Sequence, residues 1–294
     1  MQVGFVGLGI MGSRMVARLG AAGHRPRVYD RVTAAVERAV AGGAEAAGSV
    51  RDLAGACDAL FTSLPMPSDV EAVYLGPGGA IEAARESQVY VDLSTIDPAT
   101  ARRAAERLAA KGVSFLDAPV SGGASGAETG TLSTMIGGDA AALDRVRPLL
   151  AAFTARQFHV GPVGAGSVVK LANQLMVAAN TLAAMEAATF AARAGIDPQT
   201  LLDVVSVSTG DSFMFRRSIR DFVQTRDFGA SFALRLLVKD LRLYLGEAHN
   251  LGLSTPSGTP TLAPYEEAVH RGFADEDFAA VLKVVEQERN RVTH

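Results

Sequence analysis

Three groups of residues have types and spacing suited to chemistry. Lys170 and Asn173 lie in "GAGSVVKLANQ" (164–174), at the head of a long apolar run in which the next charged residue is Glu186. A separation of three places both on one helix face. Burial disfavours an ammonium and lowers its pKa; near about 7–8 a lysine can exchange a proton with an alcohol or carbonyl oxygen. Asn173 does not titrate, so its role would be to orient Lys170 or to bind substrate. A snorkelling lysine beside a capping amide would explain the same letters.

The second group is Ser121, Gly122 and Gly123 in "DAPVSGGASGAETGTL" (117–132). Glycines let backbone N–H groups approach an anion, and Ser121 adds a hydroxyl, so the patch suits a small carboxylate. A plain flexible loop is equally compatible. The segment lacks GxSxG, and none of the five histidines completes a convincing triad pattern, which argues against a serine hydrolase.

The third is "VGFVGLGIMGSRMVARLGAAGHRPRVYD" (3–30). Gly7 permits a tight strand-to-helix turn, Gly9 lets backbone approach a pyrophosphate, and Gly12 lets helix and strand pack closely. Leu8, Ile10 and Met11 complete the loop and the helix start, whose N–H groups and dipole favour phosphate. Asp30 ends the next strand, where a carboxylate accepts ribose hydroxyls and repels a 2′-phosphate. That predicts NAD over NADP, while Arg31, turned inward, would allow NADP. Two further loops suit the same cofactor: "SLPMPSDV", with Leu64, Pro65 and Met66, and "DLSTIDPAT", with Ser94 and Thr95 beside the expected nicotinamide end. Loop stiffening and helix capping would account for these equally, and Asp97 before Pro98 is itself an N-cap candidate.

The elements that must carry these groups alternate through the first half. Strands are predicted at 3–8, 27–30, 58–64, 88–94, 113–119 and 131–138, with Ala/Arg/Glu-rich helices such as "ATARRAAERLAAKG" between them. That order predicts an α/β domain, with a mainly parallel sheet covered by helices on both faces. After "RQFHVGPVGAG" helices dominate, so the boundary is set at 163/164: a dinucleotide-binding domain over 1–163 and an all-helical domain over 164–294 for substrate binding and oligomerisation. The opening helix would span roughly 40 Å, enough to join domains or run through a dimer core.

With 294 residues, 48% apolar and 20% charged, the chain is neither disordered nor charge-driven, and its net charge of -3 gives no general attraction to nucleic acid or anionic membrane. The single cysteine, Cys57, has no partner for a disulfide or CxxC site, which fits a reducing, cytoplasmic setting and no metal. The start lacks a basic leader, and Lys170, two asparagines and Glu186 argue against reading the long helix as a membrane span.

Four ordered segments, "GFVGLGIMG" (4–12), "DAPVSGGASGAETGTL" (117–132), "GAGSVVKLANQ" (164–174) and "LLVKDLRLYL" (236–245), resemble the β-hydroxyacid dehydrogenase family, which includes 3-hydroxyisobutyrate dehydrogenase and tartronate semialdehyde reductase. "DEDFAAVLKVVEQ" is similar to its closing helix, so the resemblance covers essentially the full chain. It implies a Rossmann-like N-terminal domain and a helical C-terminal domain with substrate in the cleft. It implies Lys170 as the catalytic acid/base, Asn173 beside it, and Ser121, Gly122 and Gly123 on the substrate carboxylate. Lys239 and Asp240 match the family's Lys-Asp pair near the nicotinamide, with Lys239 also available to substrate; unaided, they read as a helix surface feature. Imine reductases usually replace the lysine retained here, and the helical part is short for a 6-phosphogluconate dehydrogenase. "YDRV" departs from the NRT-like pattern of NADP-preferring members.

The resulting expectation is hydride transfer between NAD, or NADP, and a small 3-hydroxy acid such as 3-hydroxyisobutyrate or its semialdehyde, in a homodimer or homotetramer. An NADPH-dependent tartronate-, succinic- or glyoxylate-type semialdehyde reductase, an imine reductase and a non-enzymatic NAD(P) sensor are the alternatives. Arg216, Arg217 and Arg220 could bind a second acidic group or simply line a solvent-facing helix. Phe213, Phe215 and Phe228 could set pocket width or fill core.

Overall fold

A computed structural model, which describes residues 1–287, divides the chain into a first unit, Met1–Leu171, and a second beginning at Ala172. The first unit runs β1 (Val3–Val6), α1 (Ile10–Ala21), β2 (Arg27–Tyr29), α2 (Thr33–Ala41), β3 (Glu45–Ala46), α3 (Val50–Ala56), β4 (Ala59–Thr62), α4 (Pro67–Leu75), β5 (Val89–Asp92), α5 (Pro98–Ala109) and β6 (Ser114–Asp117). It continues through β7 (Val120–Ser121), α6 (Gly123–Thr129), β8 (Leu132–Gly137), α7 (Ala140–Leu150) and β9 (Thr154–Gly161). These strands form one sheet, ordered β3-β2-β1-β4-β5-β6-β8-β7, with β9 paired to β8.

From β3 to β6 every pairing is parallel, as the strand–helix alternation predicts. Alternate residues of these strands enter different cores. Phe5, Phe61 and Val91 share one with Met15 and Leu19 of α1, whereas Val6, Leu60 and Tyr90 share the other with Leu108 of α5. Burial on both faces explains the near-continuous apolar runs. Asp97 caps α5 as anticipated, accepting from the Thr100 N–H at 2.8 Å. The strand predicted at 131–138 is β8, which runs antiparallel to β6 and β7. Strands β3 and β7, two residues each, and β9, largely exposed and mixed in polarity, escaped prediction because they lack an apolar alternation.

The order reverses direction between β1 and β4, the point at which doubly wound sheets bind ligands beyond the carboxyl ends of their strands. β1 ends into Gly7, β4 into Leu64–Met66, β5 into Ser94 and Thr95, and β6 toward Ser121. Topology therefore gathers four of the candidate loops at one sheet edge.

Helix α8 (Ala165–Arg193) begins in the first unit and continues into the second. Its first turns, with Lys170, belong to the first unit. Among the described residues it is the one helix long and apolar enough to cross a membrane, with mean hydropathy 1.4 and a third of that stretch buried. The second unit adds α9 (Pro198–Val205), α10 (Phe213–Arg217), α11 (Leu234–Asn250), α12 (Gly258–Ala268) and α13 (Leu282–Gln287). Their core joins Met185, Leu237, Leu241, Tyr265 and Val281. The closing helix expected at "DEDFAAVLKVVEQ" (275–287) is a 3₁₀ turn at Phe278–Val281 followed by α13. Buried Asp277 ties that turn down, accepting from the Ser231 hydroxyl at 2.6 Å and from the Ser231, Phe232 and Ala279 amides.

Candidate active site

The glycine loop has the sterics that the spacing implied. Gly7 sits at φ +93°, and a Cβ there would lie 2.3 Å from the Ser63 carbonyl. A Cβ on Gly12 would lie 1.9 Å from the Gly7 carbonyl, so only glycine lets α1 pack this close to the turn. At Gly9 the same construction meets nothing within 4 Å: the backbone faces open space, as a pyrophosphate cradle requires. Gly9 is also the N-cap of α1, and no side chain caps this helix. The N–H groups of Ile10, Met11 and Gly12, ahead of the first helical bond from Ser13 to the Gly9 carbonyl, have no intrahelical acceptor and suit phosphate oxygens. Met11 packs on the core, while Ile10 is exposed.

Asp30 rims this loop. Its Oδ2 accepts from the Leu8 N–H at 2.6 Å and its Oδ1 from the Val32 N–H at 2.8 Å, so the carboxylate is oriented and each oxygen keeps a lone pair for a ribose hydroxyl. Arg31 points to solvent, with Nη1 3.9 Å from Asp69 Oδ1. These residues fit a dinucleotide: Gly7 to Gly12 would hold its pyrophosphate and Asp30 its adenosine ribose.

The two loops beyond β4 and β5 are cross-tied. Leu64 is half-buried, and Pro65 and Met66 are exposed, with Met66 as the N-cap of α4. The Leu64 N–H donates to Ser94 Oγ at 2.8 Å, and the Ser94 hydroxyl donates to Asp92 Oδ1 at 2.6 Å. Ser94 was expected to offer its hydroxyl toward the nicotinamide. It is buried instead and spends that proton on Asp92; half-buried Thr95 is the hydroxyl of this pair nearer the surface. Thr62 Oγ1 also donates to Asp92 Oδ1 at 2.6 Å, whereas Oδ2 has no hydrogen-bond partner among the described residues. Full burial pushes the Asp92 carboxyl up to about 6, opposed by the Ser94 and Thr62 hydrogen bonds.

β6 leads into the carboxylate-loop candidates. Gly122 and Gly123 adopt φ +130° and +65°, values that side chains rarely allow, and a Cβ on Gly123 would enter open space. Ser121 ends β7 immediately before them. Asp117, the last residue of β6, accepts from the Gly164 and Ser167 N–H groups at 2.7 Å each, at the start of α8. Burial raises its pKa, against the pull of those two bonds. Lys170 follows one turn later and is only 7% exposed.

In the second unit the Asn173 amide donates to Gln174 Oε1 at 3.2 Å, and Gln174 Nε2 donates to Asp240 Oδ2 at 2.6 Å. Lys239 Nζ lies 2.7 Å from Asp240 Oδ1. Asp240 is thus a buried acceptor between Gln174 and Lys239 rather than a surface residue, and the Lys-Asp pair is joined to the Asn173 segment. The three arginines have other engagements. Arg216 pairs with Asp211, Arg220 with Asp221 at 2.8 Å, and Arg217 stacks over Phe222 and Phe278 while donating to Ser231 Oγ at 3.0 Å. Phe215 and Phe228 are buried in core, and Phe213 is exposed.

Sequence reasoning did not single out Asp92, Asp117 or Gln174. Gln174 follows Lys170 by four residues and so shares its helix face, a signal that was present; the two aspartates read as ordinary strand ends.

A family model described as the NAD binding domain of 6-phosphogluconate dehydrogenase matches residues 2–161. A second, described as NAD-binding of NADP-dependent 3-hydroxyisobutyrate dehydrogenase, matches residues 164–285. The chain is 36% identical to 2-(hydroxymethyl)glutarate dehydrogenase of Eubacterium barkeri, covering 97% of this chain and 95% of that one. It is 35% identical to NAD-dependent L-serine dehydrogenase of Pseudomonas aeruginosa, covering 96% and 97%. The solved structure of Mycobacterium tuberculosis 3-hydroxyisobutyrate dehydrogenase with L-serine aligns at TM-score 0.89 and 32% identity, covering 97% and 99%. With the glycine loop, Asp30 and the helical second unit in place, the chain belongs to the 3-hydroxyisobutyrate dehydrogenase/β-hydroxyacid dehydrogenase family of NAD(P)-dependent oxidoreductases.

Proposed function

We propose that this enzyme oxidises a 3-hydroxy acid of the form HOCH₂–CHR–COO⁻, or reduces the matching semialdehyde, with Lys170 as general acid/base and NAD as the preferred cofactor. The observation that carries the reading is Lys170 itself, a lysine 7% exposed in the first unit, which also holds the glycine loop and the Ser121–Gly123 turn. The names of the relatives support the substrate class. 2-(Hydroxymethyl)glutarate, L-serine and 3-hydroxyisobutyrate all carry a hydroxymethyl group on the carbon next to a carboxylate.

The nicotinamide, when bound, accepts or delivers the hydride. Ser121 Oγ–H and the Gly122 and Gly123 N–H groups bind the carboxylate and set the distance to the reacting carbon. Neutral Lys170 takes the hydroxyl proton during oxidation; lysinium returns one to the nascent alkoxide during reduction. The family resemblance gives Asn173 a role beside the catalytic lysine and Lys239 and Asp240 a role at the nicotinamide, and the Asn173–Gln174–Asp240–Lys239 chain of contacts supports reading these residues as one unit. Orientation of Asp30 by Leu8 and the outward course of Arg31 support NAD. Buried Cys57 fits the cytoplasm, and the exposed Met176 and Phe190 of α8 fit contact with a second copy in a homodimer or homotetramer.

A panel of 3-hydroxyisobutyrate, L-serine, 3-hydroxypropionate, 2-(hydroxymethyl)glutarate and tartronate semialdehyde, run with both nicotinamides, tests the class. Lys170→Ala should lose kcat by about 10²–10⁴-fold while still binding NADH. A kcat near the parent's across a pH series would remove Lys170 from the reaction.

A further inference from the structure

We propose that Asp117 is a positioning residue, fixing the Lys170 helix against the strand that feeds the Ser121–Gly123 loop. The assignment rests on Lys170 acting as the acid/base. Most helix caps here are local: Ser49, Asp97, Asp139, Asp197 and Ser212 each accept from N–H groups two or three residues ahead. Helix α8 differs. The residue before it is Gly164, which has no side chain to offer, and the acceptor arrives from 47 and 50 residues away. Both Asp117 oxygens are used, one on Gly164 and one on Ser167, each at 2.7 Å.

The surroundings leave this carboxylate no slack. Asp117 is 1% exposed. A Cβ on Gly137 of β8 would lie 2.4 Å from its Oδ1, and one on Gly166 of α8 would lie 2.6 Å from its carbonyl and 3.0 Å from its Oδ2. Two elements, β8 and α8, thus close on one side chain of β6, and a glycine of each makes the close approach. Ser121 lies four residues after Asp117 and Lys170 three after Ser167. The clamp therefore stands between the candidate carboxylate donors and the candidate proton donor. Loosening it shifts Lys170 relative to the bound acid, and a misplacement of about 1 Å can cost on the order of 10²-fold in rate. The glycine loop at β1–α1 is not part of the clamp, so cofactor binding should be spared.

The test compares parent, Asp117→Asn, Lys170→Ala and the double variant on whichever panel acid turns over fastest, with NADH affinity read from nicotinamide fluorescence. Asparagine keeps the size but turns an N–H₂ toward one of the two helix donors. The expected result is a kcat loss of about 10–100-fold in Asp117→Asn, NADH affinity within about twofold of the parent, and a double variant no slower than Lys170→Ala. Losses that multiply in the double variant, or a matching loss of NADH affinity, would show that Asp117 does not act through Lys170. Parent-like kcat in Lys170→Ala would instead sink the acid/base reading, a different outcome from either. Should Asp117→Asn not fold, hydrogen exchange on the parent decides. Gly164 and Ser167 amides exchanging as slowly as those of β6 support the clamp, and exchange at the rate of exposed amides overturns it.

Discussion

Replacing Asp92 by asparagine isolates the free-energy consequence of burying its carboxylate. Burial raises this carboxyl from the ordinary 3.8 to about 6. The folded chain therefore holds the proton more tightly than the unfolded one. The stability linked to that proton is complete below pH 3.8 and is lost as pH rises through about 6. The gap corresponds to about 3 kcal/mol. Asparagine carries no titrating proton, so its unfolding free energy minus the parent's should rise by about 2.5 kcal/mol between pH 4 and pH 7, the rest of the gap lying below pH 4. A constant offset accompanies this, because the amide places N–H donors where Oδ2 has no partner among the described residues; burying them costs about 1–3 kcal/mol at every pH. The slope, not the offset, is the signature. Repulsion from Asp117 is the last of the contributions to the shift, so coupling to that neighbour should change the slope little. Calorimetry of the cofactor-free protein should show the transition of the first unit gaining about 8 °C on the parent across that range. A difference that stays flat from pH 4 to pH 7 would mean that Asp92 does not carry this burial cost.

Gly12→Ala would force a Cβ to within 1.9 Å of the Gly7 carbonyl, so NADH affinity should fall roughly tenfold or more; parent-like affinity in a fluorescence titration would refute the close-packing role. Asp30→Ala should ease NADP binding and narrow the NAD/NADP ratio of kcat/KM by about tenfold, while removing the acceptor of the Leu8 N–H; an unchanged ratio would dismiss Asp30 as the discriminator. Arg217→Ala should lower the melting temperature of the second unit by the equivalent of about 1–3 kcal/mol, through lost ring and Ser231 contacts. It should leave the ratio of mono- to dicarboxylate turnover unchanged, and a selective loss with dicarboxylates would make it a substrate ligand instead.

The parts legible in the sequence are those governed by local sterics or by burial on both faces. Gly7 and Gly12 announce themselves because any side chain would strike backbone, and β1, β4 and β5 because each face of the sheet has its own core. The strands β5 and β6 show where legibility stops. "VYVD" and "SFLD" end alike, yet one aspartate collects the hydroxyls of Thr62 and Ser94 while the other caps a helix that begins 48 residues later. Only the order of strands and helices decides which donors reach each carboxylate. Asp30, at the end of a third such strand, is the single one of the three whose position after a glycine loop marks its task in advance.

The arginines of the second unit carry the same point to specificity. Charge density at 216–220 suggested a seat for a second acidic group, but a cation contributes to binding only what exceeds its existing partnerships. Arg216 and Arg220 already face Asp211 and Asp221, so a dicarboxylate would have to outcompete carboxylates held on the same chain. Arg217 lies over two aromatic rings and donates to Ser231, itself bound to buried Asp277, and moving it would disturb the core that holds the segment. Under the proposed function, none of these three arginines could seat a second carboxylate without giving up a partner it already holds.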